Sequence, residues 1–368
     1  MRRSYFTVFL IGLAGAVLAQ NTAPQRQSST NKPSAAKTAP TTGKAWIPPK
    51  TAWGDPDLQG LWPGADLIGT PLERPATFGE RATLTEDEFA KKVEHAQKQE
   101  EIDTAAYASK NPLIARGDGF LSCDQDPERC RDGVRIGPPN YWDERGKPNK
   151  QASLIVDPPN GRIPPLTTAA QKSAADRTAA RRARPCASSS GGCHDSWEDE
   201  SLWDRCITRG LVGSVVPNTY NQGNQIVQAP GYVVFRNEMI HESRVIPLDG
   251  RPHLTPLLQS WMGDSRGHWE GNALVVETTN FRPGTPVGNT PASDALVIVE
   301  RFELADVNTL NYRLTVNDPN TWIRPWTIAF PLSRDAKYTL FEYACHEGNY
   351  YMYNALAGAR SEEKGRGK

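Results

Sequence analysis

Three stretches of the C-terminal half gather the residue types that move protons and hold charge. "HESRVIPLDGRPH" carries His241, Glu242, Arg244, Asp249, Arg251 and His253. "GDSRGHWEGN" carries Asp264, Arg266, His268, Trp269 and Glu270. "NDPNTWIRPW" and "YACHEGNY" supply Asp318, Trp322, Arg324, Trp326 and His346, the last just beyond Glu342. A histidine tuned by a carboxylate serves as acid or base near neutral pH, and a nearby guanidinium stabilises developing negative charge. The expected catalytic set is therefore His253, His346, Asp249 and Glu342, with Arg244, Arg251 and His241. Expected substrate contacts are Asp264, Arg266, Trp269, Glu270, Asp318, Trp322, Arg324 and Trp326.

Each cluster has a plain structural alternative. Asp249-Gly250 is ordinary turn chemistry, the second stretch is a capped hairpin with an aromatic plug, and Glu342 is one half of an ion pair. A metal centre would need His241, His253 and His346 to converge with a carboxylate, leaving zinc or iron an open position. No H-x-H or H-E-x-x-H spacing favours it, so no cofactor is expected and a divalent metal stays the open alternative. Gly263 to Gly267 does match G-x-S-x-G. It precedes a predicted strand, whereas a nucleophile elbow joins a strand to a following helix, so Ser265 is not expected to be a nucleophile.

The elements that must position these residues are mainly strands. "TLNYRLTV" alternates, with Leu310, Tyr312, Leu314 and Val316 on one face and Asn311, Arg313 and Thr315 on the other. Predicted strands are 225–228, 232–236, 240–248, 273–279, 296–304, 309–316, 327–331 and 337–344, after a short one at 153–156. Tight turns join them, and an antiparallel meander of this kind closes most simply into a barrel, with a sandwich as the rival. Upstream, the Pro-, Gly- and Trp-rich residues 46–81 read as an extended arm anchored by tryptophan. A capping box at Thr83 and Glu86 opens a surface helix reaching about Glu101. Further helices are predicted over 168–184 and after the cap Ser196.

Two arginines, an apolar run from Tyr5 to Leu18 and small residues at Val17 and Ala19 give the pattern of a signal peptide cleaved after Ala19. The run is shorter than the roughly 20 residues of a membrane span. The expected organisation is a signal peptide at 1–19 and a disordered linker at 20–50. Arm and peripheral helices follow at 51–210, then a β-barrel core at 211–360 and a disordered tail at 361–368. The expected location is periplasmic or extracellular, with no integral membrane segment. Equal numbers of acidic and basic residues, 42 of each, argue against a nucleic-acid partner. Six cysteines in an exported chain suggest the bridges Cys123–Cys130, Cys186–Cys193 and Cys206–Cys345, with metal ligation through Cys193-His194 or Cys345-His346 as the alternative.

Seven segments, "DPDLQGLW", "SLIVDPPNGRIPPLT", "RCITRG", "EMIHESRVIPLDGRPH", "WMGDSRGHWEGNALVVETTNF", "NDPNTWIRPWT" and "YACHEGNY", together resemble a large uncharacterised family of exported bacterial proteins. The likeness runs from about Trp53 to Glu363. It implies export and brings no activity with it; the hairpin around "WEGNALVVETT" looks like that of a lipocalin-type barrel.

Two functions fit. One is an exported enzyme performing hydrolysis or elimination by acid–base chemistry on a small aromatic or apolar molecule. The other is a lipocalin-like carrier whose tryptophans and tyrosines contact a ligand without catalysis. Convergence of the charged side chains in a cleft favours the first, and an apolar hollow with charges facing water favours the second.

Overall fold

Alternation in the sequence becomes two antiparallel sheets whose apolar faces meet. A computed structural model describes residues 46–108, 130–131, 134–135, 144–184, 193–218 and 220–366. The expected signal peptide and most of the linker lie outside these residues, as do Cys123 and Cys186. Strands β1 (Gly60–Leu61), β3 (Asn224–Ala229), β4 (Tyr232–Asn237) and β5 (Ser243–Pro247) form one sheet in the order β1-β3-β4-β5, where β2 (Ile155–Asp157) belongs to the other. That second sheet adds β6 (Asp264–Glu270), β7 (Ala273–Thr279), β8 (Val297–Asp306), β9 (Thr309–Asn317) and β10 (Trp326–Ser333), ordered β2-β10-β9-β8-β7-β6. Helices α1 (Glu86–Ala108), α2 (Thr168–Arg182), α3 (Gly210–Val215) and α4 (Tyr351–Arg366) lie between or after the strands.

The fold is thus mainly β with few helices, and no sheet among the described residues closes into a barrel. Closure needs a hydrogen-bonded ladder between edge strands. At one seam β5 and β6 touch through side chains: a Cβ added at Gly267 would meet Leu248 and Ile246. At the other, Arg334 after β10 lies over the Trp62 ring beside β1, 4.5 Å from its centroid. Neither seam carries a ladder.

Between the sheets the inward residues of β8, β9 and β10 pair in register, Phe302 with Tyr312 and Tyr312 with Phe330. Their ring centroids are 4.9 and 5.3 Å apart, and Phe235 from the opposite sheet closes on Phe302 at 5.4 Å. Such tilted aromatic contacts add to the burial energy of each ring. Leu310, Tyr312, Leu314 and Val316 are all buried, the face predicted for β9. Trp62, Trp322 and Trp326 complete the core, Trp322 and Trp326 in an edge-on pair.

Several local expectations need correction. The strand predicted at 240–248 begins only at Ser243, because Ile240 and His241 adopt positive φ (56° and 45°) in a 3-10 turn, which ends the pleat. The opening of "DSRGHWE" is itself a strand, β6, and not the approach to one. No strand forms at 337–344: the Phe341 amide donates to the Glu238 side chain and has no ladder partner. Residues 361–366, part of the tail expected to be disordered, continue helix α4, which is held further upstream where Tyr351 donates to Glu200 and Arg360 to Asp195. Helix α1 starts two residues later than predicted, with a reciprocal capping box between Thr85 and Glu88.

Cys206 and Cys345 are bonded, with Cα atoms 5.8 Å apart, tying the entry of the β region to the segment before α4. Cys193 is also disulfide-bonded. No described helix is long and apolar enough to cross a membrane.

Candidate active site

Most sequence-predicted site residues turn out to hold the fold. Arg244 on β5 and Glu300 on β8 face each other between the sheets in a two-pronged ion pair, to which the Tyr312 hydroxyl donates at 2.7 Å. Arg244 is 5 % exposed and Glu300 0 %, so the pair has no route to a substrate in solution. Asp318 accepts five bonds from Ser293, Asn320 and Thr321, the work of a turn cap. Trp322 and Trp326 are core, Trp269 packs against the core cluster, and Arg324 pairs with Asp157 at 3.0 Å. Glu270 pairs with Arg301 on the neighbouring sheet surface.

His253 meets two carboxylates, neither of them Asp249 or Glu342, the acids expected to tune it. Its Nδ1 lies 2.9 Å from Asp264 and its Nε2 3.2 Å from Glu277, while Arg266 donates to the other oxygen of Asp264 at 2.7 Å. The Leu254 amide also donates to Asp264, so this cluster fastens the 249–262 loop against β6 and β7. Asp249 and Arg251 pair with each other at an exposed turn. Glu342 and His346 are exposed, and His241 contacts the Tyr343 carbonyl. No hydrogen bond or ion pair joins His253, Asp249, Glu342 and His346 among the described residues. Ser265 points inward to Thr278 and Arg244, on the opposite strand face from Asp264, so His253 cannot serve it as a base. Among the described residues no cluster of metal-ligating side chains forms, and the histidines lie apart.

The arrangement best suited to proton transfer uses residues outside the predicted set. Glu238 leaves the end of β4, where the chain turns away from the sheet. It is 1 % exposed and accepts from Asn221, from the amides of Gly223 and Phe341, and from Tyr338. A Cβ at Gly223 would lie 2.5 Å from a Glu238 oxygen, so only glycine lets the backbone come this close. Tyr338, in the segment after β10, brings its hydroxyl 2.6 Å from Glu238 Oε2 and 3.0 Å from Glu144 Oε1. Glu144 also accepts from the Gln222 amide, and its Oε2 is buried with no partner. These groups line a cleft of about 910 Å³ with Tyr220, Lys337 and Phe341.

The proton count decides how this triad is charged. A phenol carries one hydrogen, so Tyr338 can donate to only one of the two carboxyl groups. The shorter contact, 2.6 Å to Glu238 against 3.0 Å to Glu144, directs the phenol hydrogen toward Glu238. With the phenol hydrogen on Glu238, the contact to Glu144 is a hydrogen bond only when Glu144 carries a proton; with the hydrogen turned to Glu144, the bond favours the Glu144 charge. Burial pushes the Glu144 carboxyl above the ordinary glutamate range, opposed by the Gln222 amide and Tyr338, and the Glu238 charge adds to the rise. Burial, and then the bond to Glu238, also raise the Tyr338 hydroxyl far above an ordinary tyrosine, so it stays protonated as a relay.

No family model, curated protein or solved structure matches this chain. The site is therefore read from its own chemistry, and the family resemblance rests on the quoted motifs alone.

Sequence reasoning missed the triad for a simple reason. Tyr338 lies 100 residues from Glu238 and 194 from Glu144. The available signal was local and faint: a glutamate three residues after the apolar run "YVVF", directly beyond the end of the strand.

Proposed function

We propose that the protein is an exported enzyme that performs hydrolysis or elimination on a small organic molecule, using Glu144 and Glu238 as acid and base. The observation that carries this reading is the Tyr338 hydroxyl bridging two carboxyl groups on the wall of one cleft. Burial raises the proton affinity of Glu144, which suits it to act as the acid beside a second carboxyl group. In hydrolysis, Glu144 passes its proton to the leaving oxygen or nitrogen as the bond to carbon breaks. Glu238 takes a proton from the attacking water, whose oxygen forms the new bond. The Glu238 proton then returns through the Tyr338 hydroxyl to Glu144, restoring the resting state. In elimination, Glu238 takes a carbon-bound proton instead, and no water is consumed. Tyr220 and Phe341 offer flat apolar surface for the organic part of the substrate.

Export is supported by the Cys206–Cys345 bond, since disulfides persist in oxidising compartments. A lipocalin-like carrier would hold its ligand between the sheets. Phe235, Phe302, Tyr312 and Phe330 fill that space, which favours the enzyme.

The test compares phenyl with 4-nitrophenyl esters and glycosides. Phenolate is the poorer leaving group and gains more from protonation by Glu144. Glu144→Gln is expected to lower kcat/KM by about 10²–10⁴ for phenyl substrates, and by much less for 4-nitrophenyl ones. Turnover with equal loss on both, or with no loss, contradicts the assignment of Glu144 as acid.

A further inference from the structure

A second cleft, of about 740 Å³, opens between the 193–209 segment, α2 and the ribbon formed by Pro286–Val287 and Thr290–Pro291. Arg181, Arg205 and Arg209 line it, with Trp203 and Trp261. Arg209 lies over the Trp203 ring, 4.6 Å from its centroid, and Arg282 covers Trp261 at 4.7 Å. Among the described residues no carboxylate forms an ion pair with Arg181, Arg205 or Arg209. The acids on the wall do not answer this charge. Glu200 is committed to His194 Nδ1 and the Tyr351 hydroxyl, and Glu198 is exposed at the rim.

A guanidinium taken from water without a bonded anion is costly, and its five donors ask for oxygen acceptors. Burial lowers the Arg209 pKa from its usual value, with Glu242 and the tyrosines Tyr220 and Tyr343 acting only at a distance. Elsewhere in this chain the buried arginine Arg244 has a bidentate carboxylate. Arg74, also buried, has the Pro159 carbonyl, whereas half-buried Arg209 has the Trp203 ring and, among the described residues, no oxygen acceptor. Trp203, Trp261 and Leu202 give the same cleft an apolar wall.

We infer that this cleft binds an organic oxyanion with a flat apolar group, its charged head on Arg209 and Arg205 and its ring against the tryptophans. The inference does not rest on the Glu144 cleft. Calorimetric titration of the full chain with phenyl phosphate and with benzoate tests it and distinguishes the two oxyanion heads. Saturable binding of either is expected, stronger than that of inorganic phosphate. Losing a charge-assisted bond should weaken it roughly ten- to hundredfold in Arg209→Gln, and Arg205→Gln, an independent variant at the other head contact, should weaken it too. Glu144→Gln and Arg301→Gln should leave it unchanged. Absence of saturable binding for both compounds overturns the inference, as does binding that survives both arginine substitutions.

Discussion

Glu144 and Glu238 meet across a single phenol hydrogen, the Tyr338 hydroxyl lying within hydrogen-bond distance of an oxygen of each. One proton between two acceptors makes the charge state of Glu144 the hinge of the functional account.

Under the proposed function, that charge state would set a pH limit on activity. An acid whose folded pKa is raised stays protonated past the ordinary glutamate range and loses its proton as pH climbs through the raised value. The alkaline limb of kcat should therefore belong to Glu144 and disappear from the residual activity of Glu144→Gln. A pH–rate series on both proteins checks it.

The same shift has a stability consequence. Folding favours protonated Glu144, so this group works against the folded state once pH exceeds its unfolded pKa, and the cost grows until the folded pKa is passed. Glu144→Gln should raise the urea midpoint at neutral pH, and the difference should shrink as pH falls below the ordinary glutamate range.

Arg244 and Glu300 join the sheets through a buried pair. Removing one partner leaves the other charged and unpaired in the core, at a cost of about 3–5 kcal/mol. Arg244→Met alone should destabilise by that amount, and Arg244→Met with Glu300→Leu by less. Equal losses in urea denaturation would contradict the cost of leaving Glu300 unpaired, and additive losses from Arg244→Met and Glu300→Leu would show that the pair is not coupled.

The Cys206–Cys345 bond closes a long loop, with 139 residues of separation. Replacing both cysteines by serine should cost about 2–5 kcal/mol. Denaturation with and without reductant measures it, and the serine variant should be indifferent to reductant at this position.

Ser265 should be chemically silent. It is 6 % exposed, bonded to Thr278 and, among the described residues, makes no hydrogen bond to a histidine. A fluorophosphonate probe should not label it, and labelling lost in Ser265→Ala would contradict the inward placement.

Much of the β framework was legible because period-two alternation is a local property. It identified the buried face of β9, and it also held an unused clue: Glu300 falls on the apolar face of "VIVERFEL" between Ile298 and Phe302. A carboxylate in that position needs a buried cation, and Arg244 occupies the matching place on β5. Closure was not legible, since pairing between edges distant in sequence is not a local property of the chain; Arg334 and Leu248 lie at the two seams. Nor was the triad, whose members come from three separate segments. The stretch at 337–344 alternates well on paper, yet its backbone is drawn to the Glu238 carboxylate and forms no ladder.

Infrared titration of the carboxyl stretch, with Glu144→Gln as the subtraction reference, tests the central claim without needing a substrate. The account predicts a protonated carboxyl band that persists above the ordinary glutamate range and vanishes in the variant. A difference spectrum in which Glu144 titrates with the exposed glutamates would contradict it.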